Sequence, residues 1–240
     1  AGSSFGAALG IILPFSFPYL IEISAFGFGI LAVTISYNIS RLTKTSPILV
    51  LILAGIIVSS FFNSLLSFLK YISDPYNELP SITYWIMGGF FKATWNETIT
   101  AIIFIIPVMI ILLLLSNQLN LLSLGDDDAI GLGLEVKRLR KVFIVLTTFI
   151  VALSVSVSGA IAWVGLIIPH ISRTIAGSNH YISLPVTMLI GAITLLFADN
   201  IARTITSGEI PIGILISFVG APFFAYLLIK VKSARGFREN

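Results

Sequence analysis

The chain has no cysteine and only two histidines. No disulfide framework, thiolate metal site or cysteine nucleophile is available to it. Charge is scarce: 10% of the 240 residues are Asp, Glu, Lys or Arg, against about 25% in a soluble domain. No G-x-x-x-x-G-K-[ST] occurs, so the chain by itself has no usual cradle for a nucleotide phosphate. No H-E-x-x-H is present, and His170 and His180 flank a loop without carboxylates at ligand spacing. There is no arginine series to sense voltage and no ladder of ionisable residues to relay protons. The opening "AGSSFGAALG" lacks a methionine and a basic leader, so it does not read as a signal peptide. A start straight into an apolar segment reads as a fragment, a processed product or a trimmed chain. No catalytic residue, resident cofactor, metal site or nucleic-acid surface is expected.

What is present is apolar side chain. Hydrophobic residues make up 57% of the chain and the mean hydropathy is +1.03. A globular core of this length does not need so much, so the solvent for this surface is lipid. A spanning helix takes about 20 apolar residues to cross about 30 Å of hydrocarbon. The long runs do not alternate as barrel strands do, which predicts an all-α polytopic membrane protein in one domain, 1–240. Eight crossings are expected near 4–20, 22–40, 46–69, 98–116, 142–159, 162–176, 182–204 and 210–230.

The stretch 142–172 is too long for one crossing and short for two. Basic residues decide between them, because short cytoplasmic loops are enriched in Lys and Arg. They cluster at Arg41 and Lys44, at 137–141, at Arg173, and at Lys230, Lys232, Arg235 and Arg238. Two crossings that turn near 158–163 put all these clusters on the cytoplasmic side. Only Lys70, Lys92 and Arg203 then lie outside or near the outer surface, and both chain ends are cytoplasmic.

The segment 70–97 is then an extracytoplasmic loop, with Tyr71, Tyr76, Tyr84, Trp85 and Trp95. Such rings suit the headgroup region. The loop reads either as an interfacial anchor or as a lid hinged at Gly88 and Gly89. "VSVSGA" at 155–160, with His170 as base, loosely resembles an intramembrane nucleophile, although small residues on membrane helices more often allow close packing. Gly165, Pro169, Gly191, Gly213, Gly220 and Pro222 permit bends inside segments.

The polar exception is "GDDDAIGLGLEVKRLRK" at 125–141. Asp126, Asp127 and Asp128 suit a helix start, where carboxylates complement unpaired N–H groups. The apolar Ile130, Leu132 and Leu134, spaced by Gly131 and Gly133, follow before a basic cluster. This is either a solvated loop or a short helix offered to a partner.

"GLGLEVKRLRK", "SVSGAIAWVGLIIPHISR", "LLFADNIART" and "GEIPIGILISFVGAPFFAYLL" occur in that order. Together they resemble the C-terminal half of the iron-chelate and cobalamin permeases of ATP-binding-cassette (ABC) importers, the FecCD family. "GSSFGAALG" and "YWIMGGF" are similar to earlier parts of the same pattern, and the resemblance covers essentially all 240 residues. It implies a Type II importer permease in a prokaryotic cell membrane. It implies a homodimer around a translocation path, two cytoplasmic ATPase subunits and an extracytoplasmic binding protein. The cargo is an iron–siderophore, haem, cobalamin or similar metal chelate. Ten helices are the family pattern, and the eight here correspond to the third to the tenth, without the first two and their external arginines. Asp126 to Asp128 and Ile130 to Leu134 fall in the ATPase-coupling segment. Arg203, with Glu209 beside it, falls where the binding protein docks, and Gly159, Gly165, Pro169, Gly213, Gly220 and Pro222 serve packing or bending. A secondary carrier or channel without an ATPase, and a non-transporting scaffold, are the other readings. A carrier needs mid-membrane ionisable residues, and the one clear acid in a late helix, Asp199, lies toward its outer end.

Overall fold

A computed structural model describes the chain except residues 16, 43–46, 92, 206–207 and 237–240, and the side chains of 47–48 and 226–236. Lys44, Lys92 and Arg238 lie outside the described residues, as do the side chains of Lys230, Lys232 and Arg235.

Among the described residues eleven helices follow one another: α1 (Gly2–Ile12), α2 (Leu20–Arg41), α3 (Pro47–Ile72), α4 (Glu78–Met87), α5 (Trp95–Leu114), α6 (Ser116–Leu122), α7 (Asp126–Gly131), α8 (Val136–Ser158), α9 (Val164–Ala176), α10 (His180–Ile205) and α11 (Ile212–Gly236). No strand occurs among the described residues. Among the described residues five helices, α2, α3, α5, α8 and α10, are long and apolar enough to cross a membrane. Three shorter apolar helices occupy the other expected crossings: α1, α9 and α11, the last counted over Ile212–Ala225.

One expected crossing is therefore corrected in length, and another is as short as expected. The first stops at Ile12 instead of near 20, because Leu13 turns extended (φ −66°, ψ 131°) ahead of Pro14, and a residue before proline is pushed out of the α region. At 11 residues α1 is about 17 Å long. The 13 residues of α9 span about 20 Å, well short of about 30 Å of hydrocarbon. The turn between α8 and α9, at 159–163, is where charge placement put it.

Small residues set the packing. α1 buries Gly2, Ser4, Gly6, Ala7, Ala8 and Gly10, and a Cβ on Gly6 would strike the Ser24 carbonyl of α2. Backbones that approach this closely gain dispersion contacts which lipid tails cannot supply. Phe5 meets Phe28 edge-on at 5.0 Å and Phe62 at 5.7 Å. Ala8, Leu66, Leu69 and Ile82 form a core cluster, which brings α4 into the bundle beside α1 and α3. By contrast α5 buries no residue. Its surface of Ile99, Ile102, Ile103 and Phe104 is exposed, as expected of a helix whose solvent is lipid.

Candidate functional site

The polar stretch folds as a short helix closed by two glycines. Gly125 (φ 118°) precedes α7, and Asp126, Asp127 and Asp128 occupy its first turn. The helix closes as Leu132 N–H donates to Asp128 (3.0 Å), Gly133 N–H to Ile130 (2.9 Å) and Leu134 N–H to Ala129 (3.1 Å). Gly133 has a φ of 83°, a conformation that disfavours any side chain. Arg140 of α8 donates to Asp126 at 2.7 Å and ties α7 down, while Ala129 is fully buried beneath it. Ile130 and Leu132 are left 59% and 60% exposed. Gly131 between them has open space around its Cα.

The same end of the bundle carries a contact that reading the sequence missed. Asn120 of α6 meets Asn179 and His180, at the turn from α9 into α10. This contact joins 120 to 179–180 and so places the two segments on one side. A single crossing through 142–172 would put them on opposite sides. The only signal in the sequence was a pair of asparagines in "LNLL" and "SNHY", which turn formation alone would explain.

At the other end, Arg203 bridges two acids, with Nε 2.9 Å from Asp199 and a terminal nitrogen 3.5 Å from Glu209. The three carry a net charge of −1, and Arg203 and Glu209 are both exposed. Nearby, three glycines bring separate segments into backbone contact. Gly159 (φ 68°) has no room for a Cβ, which would strike the Trp85 carbonyl and come within 3.0 Å of the Gly88 Cα; a Cβ on Gly213 would strike the Met87 carbonyl. Gly89 N–H donates to Ser158 (2.8 Å) and Gly213 N–H to Gly88 (3.3 Å). The pair Gly88 and Gly89 is thus tied on both sides. Tyr71, Tyr76 and Trp95 remain exposed.

The other bend and packing residues separate. Gly220 leaves room for Trp163, whose Cβ stands 2.9 Å from a built Cβ there, whereas Gly165 has nothing near it. Pro169 and Pro222 lie inside α9 and α11. The serines of "VSVSGA" donate to carbonyls of their own helix, Ser156 to Leu153 and Ser158 to Ser154. Nothing there resembles an activated nucleophile. Among the described residues no group of His, Asp and Glu could hold a metal ion.

The profile of the FecCD transport family matches residues 1–230. The chain belongs to this family. Among its relatives, the molybdate import permease MolB of Haemophilus influenzae is 44% identical over 236 residues, covering 97% of this chain and 68% of that one. The hemin permease HmuU of Yersinia pestis is 37% identical, covering 98% and 72%. The cobalamin permease BtuC of Halobacterium salinarum is 34% identical, covering 95% and 62%. A solved ABC transporter, inward-facing and described as of metal-chelate type, superposes with a TM-score of 0.88 at 43% identity, over 95% of this chain and 73% of that one. The chain thus spans roughly two thirds of its relatives' length. FecCD chains are membrane permeases of prokaryotic import systems and not enzymes, in keeping with the apolar helices here.

Proposed function

We propose that this FecCD chain is the transmembrane permease subunit of an ABC importer. It moves a metal chelate, such as an iron–siderophore, haem or cobalamin, inward. The relation to a molybdate permease adds a metal oxyanion to the candidates. ATP is hydrolysed on two separate cytoplasmic subunits, a second copy of the permease completes the path, and a binding protein delivers cargo to the outer face.

The observation that carries this reading is α7. Two large apolar side chains stand exposed on a short helix outside the apolar segments, and that helix is fixed from below by Ala129 and Arg140. A solvated loop gains nothing from such a surface, whereas a groove on an ATPase does. The path then switches between outward- and inward-open states as the ATPase biases a two-state equilibrium. The carrier reading is disfavoured by Asp199, which is spent on Arg203 at the outer end. The test is co-purification with candidate ATPase subunits, then ATP-dependent uptake of molybdate, hemin and cobalamin into vesicles. A chain that captures no ATPase subunit, or carries cargo without ATP, refutes the proposal.

A further inference from the structure

The Asn120 side chain joins segments 59 and 60 positions apart in the sequence. Its Oδ1 accepts from the His180 backbone N–H at 2.7 Å and lies 2.9 Å from His180 Nδ1. Its Nδ2 donates to Asn179 Oδ1 at 2.8 Å, which also accepts from the Tyr181 N–H at 3.0 Å. A backbone N–H can only donate, so the Asn120 atom facing it is oxygen, and His180 Nδ1 must carry a hydrogen. The first N–H groups of a helix have no partner inside it. Two of those on α10 are satisfied by asparagine side chains, one of them reaching across from α6.

We propose that Asn120 is a positioning residue that latches the ATPase-facing segment to α10, so that motion of α7 is delivered to α9 and α10. The proposal rests on the coupling reading of α7 given above. α6 leads through three residues into α7, and Asn120 grips the first turn of α10. Ser172, fully buried on α9, donates to the Ser183 carbonyl of α10 at 2.9 Å, so α9 moves with it. The 26 residues of α10 reach about 39 Å and carry Asp199 and Arg203 near the far end. One helix therefore joins the end that meets the ATPase to the end where the binding protein is proposed to dock. By linkage, what either partner does to α10 is felt by the other.

The test uses the permease reconstituted in lipid nanodiscs with its ATPase subunits and binding protein, with basal and binding-protein-stimulated ATP hydrolysis measured separately. Asn120→Ala should leave assembly intact and basal hydrolysis within about two-fold, and should reduce the stimulation about five-fold or more. His180→Ala removes only the ring from the same link, and should act in the same direction. The double variant should be no worse than Asn120→Ala, because both act on one connection. Asn179→Asp keeps an oxygen for both donors and should retain stimulation. Wild-type stimulation in Asn120→Ala and His180→Ala, or fully additive losses, would overturn the latch. Loss of assembly in both single variants would make Asn120 a structural cap alone and would overturn it too. A wild-type chain that binds no ATPase subunit removes the importer reading and the latch together; a working wild type with unaffected variants removes the latch alone.

Discussion

Leu132→Asp is the sharpest test of the coupling surface. Fully burying a leucine or isoleucine contributes about 1.5–3 kcal/mol. Leu132 is 60% exposed and Ile130 59%, so covering both on a partner makes available roughly 1–2 kcal/mol from each. Aspartate at 132 forfeits that share and places a carboxylate in the same contact, at a further cost of about 2 kcal/mol or more. The sum, about 3–4 kcal/mol, corresponds to two to three orders of magnitude in Kd. The free chain should hardly notice, because the side chain already faces outward and touches no core. Gly131→Trp is the steric counterpart: a Cβ there meets nothing within 4 Å in the isolated chain, so the first atom of the new side chain has room. Titration of purified ATPase subunit against permease in nanodiscs reads the affinity, and thermal unfolding of the free permease reads the fold. If both variants bind the ATPase as the wild type does, α7 is not the coupling surface.

Three further outcomes are expected. Because the chain has no native cysteine, single cysteines at Ser178 and Asn77 should label from opposite sides of sealed cells; labelling from one side defeats the eight-segment topology. Arg203→Glu takes its cluster from a net −1 to −3. It should weaken binding-protein association more than protein yield, since exposed pairs of this kind contribute only about 0–1 kcal/mol each to folding; equal affinity at low salt counts against docking there. Gly213→Leu forces a Cβ onto the Met87 carbonyl and should destabilise the chain by about 1–3 kcal/mol. Gly191→Ala, whose nearest neighbour is at 3.8 Å, should be tolerated; a comparable melting temperature for the two would show the glycine junction to be loose.

Legibility in the sequence followed the physics of each feature. Long apolar runs and the placement of Lys and Arg depend on the bilayer more than on tertiary detail, so α2, α3, α5, α8 and α10 and the turn at 159–163 could be anticipated. The true ends of α1 were legible in principle from Pro14, but an apolar sequence on both sides hid the stop. The i, i+4 pair Asp199 and Arg203 was visible because it is local. The latch at Asn120 was not, because its partners are 59 and 60 positions away and asparagine in a turn has an adequate local explanation. The fixed state of Gly88 and Gly89 was equally hidden. A glycine pair looks like freedom until the chain that packs against it is known.

The two ends of α10 are held by different means, and on the proposed import function that difference would give the bundle a pivot. At the outer end Ala198 and Ala202 pack on Ile212, beside Phe90 and Ile161, next to the junction of Gly88, Gly159 and Gly213. Those glycines make their contacts through backbone atoms, which have no rotamers through which to yield, and tightly packed interiors shift between discrete arrangements instead of deforming smoothly. At the other end the hold is a set of side-chain amides on a half-buried asparagine, which can swing with α6. A displacement entering at α7 should therefore rotate α10 about its alanine contacts. From Ala198 back to His180 is 18 residues along the helix, about 27 Å, so a rotation of about 5° would move the His180 end by roughly 2 Å while the contacts at Ala198 stay closed. Shifts of that size separate packed helix ends, which is what opening a path on one side alone requires. On that proposal the rigid junction would be as necessary to one-sided opening as the latch, since without a fixed end at Ala198 the same push would translate α10 and part both ends at once.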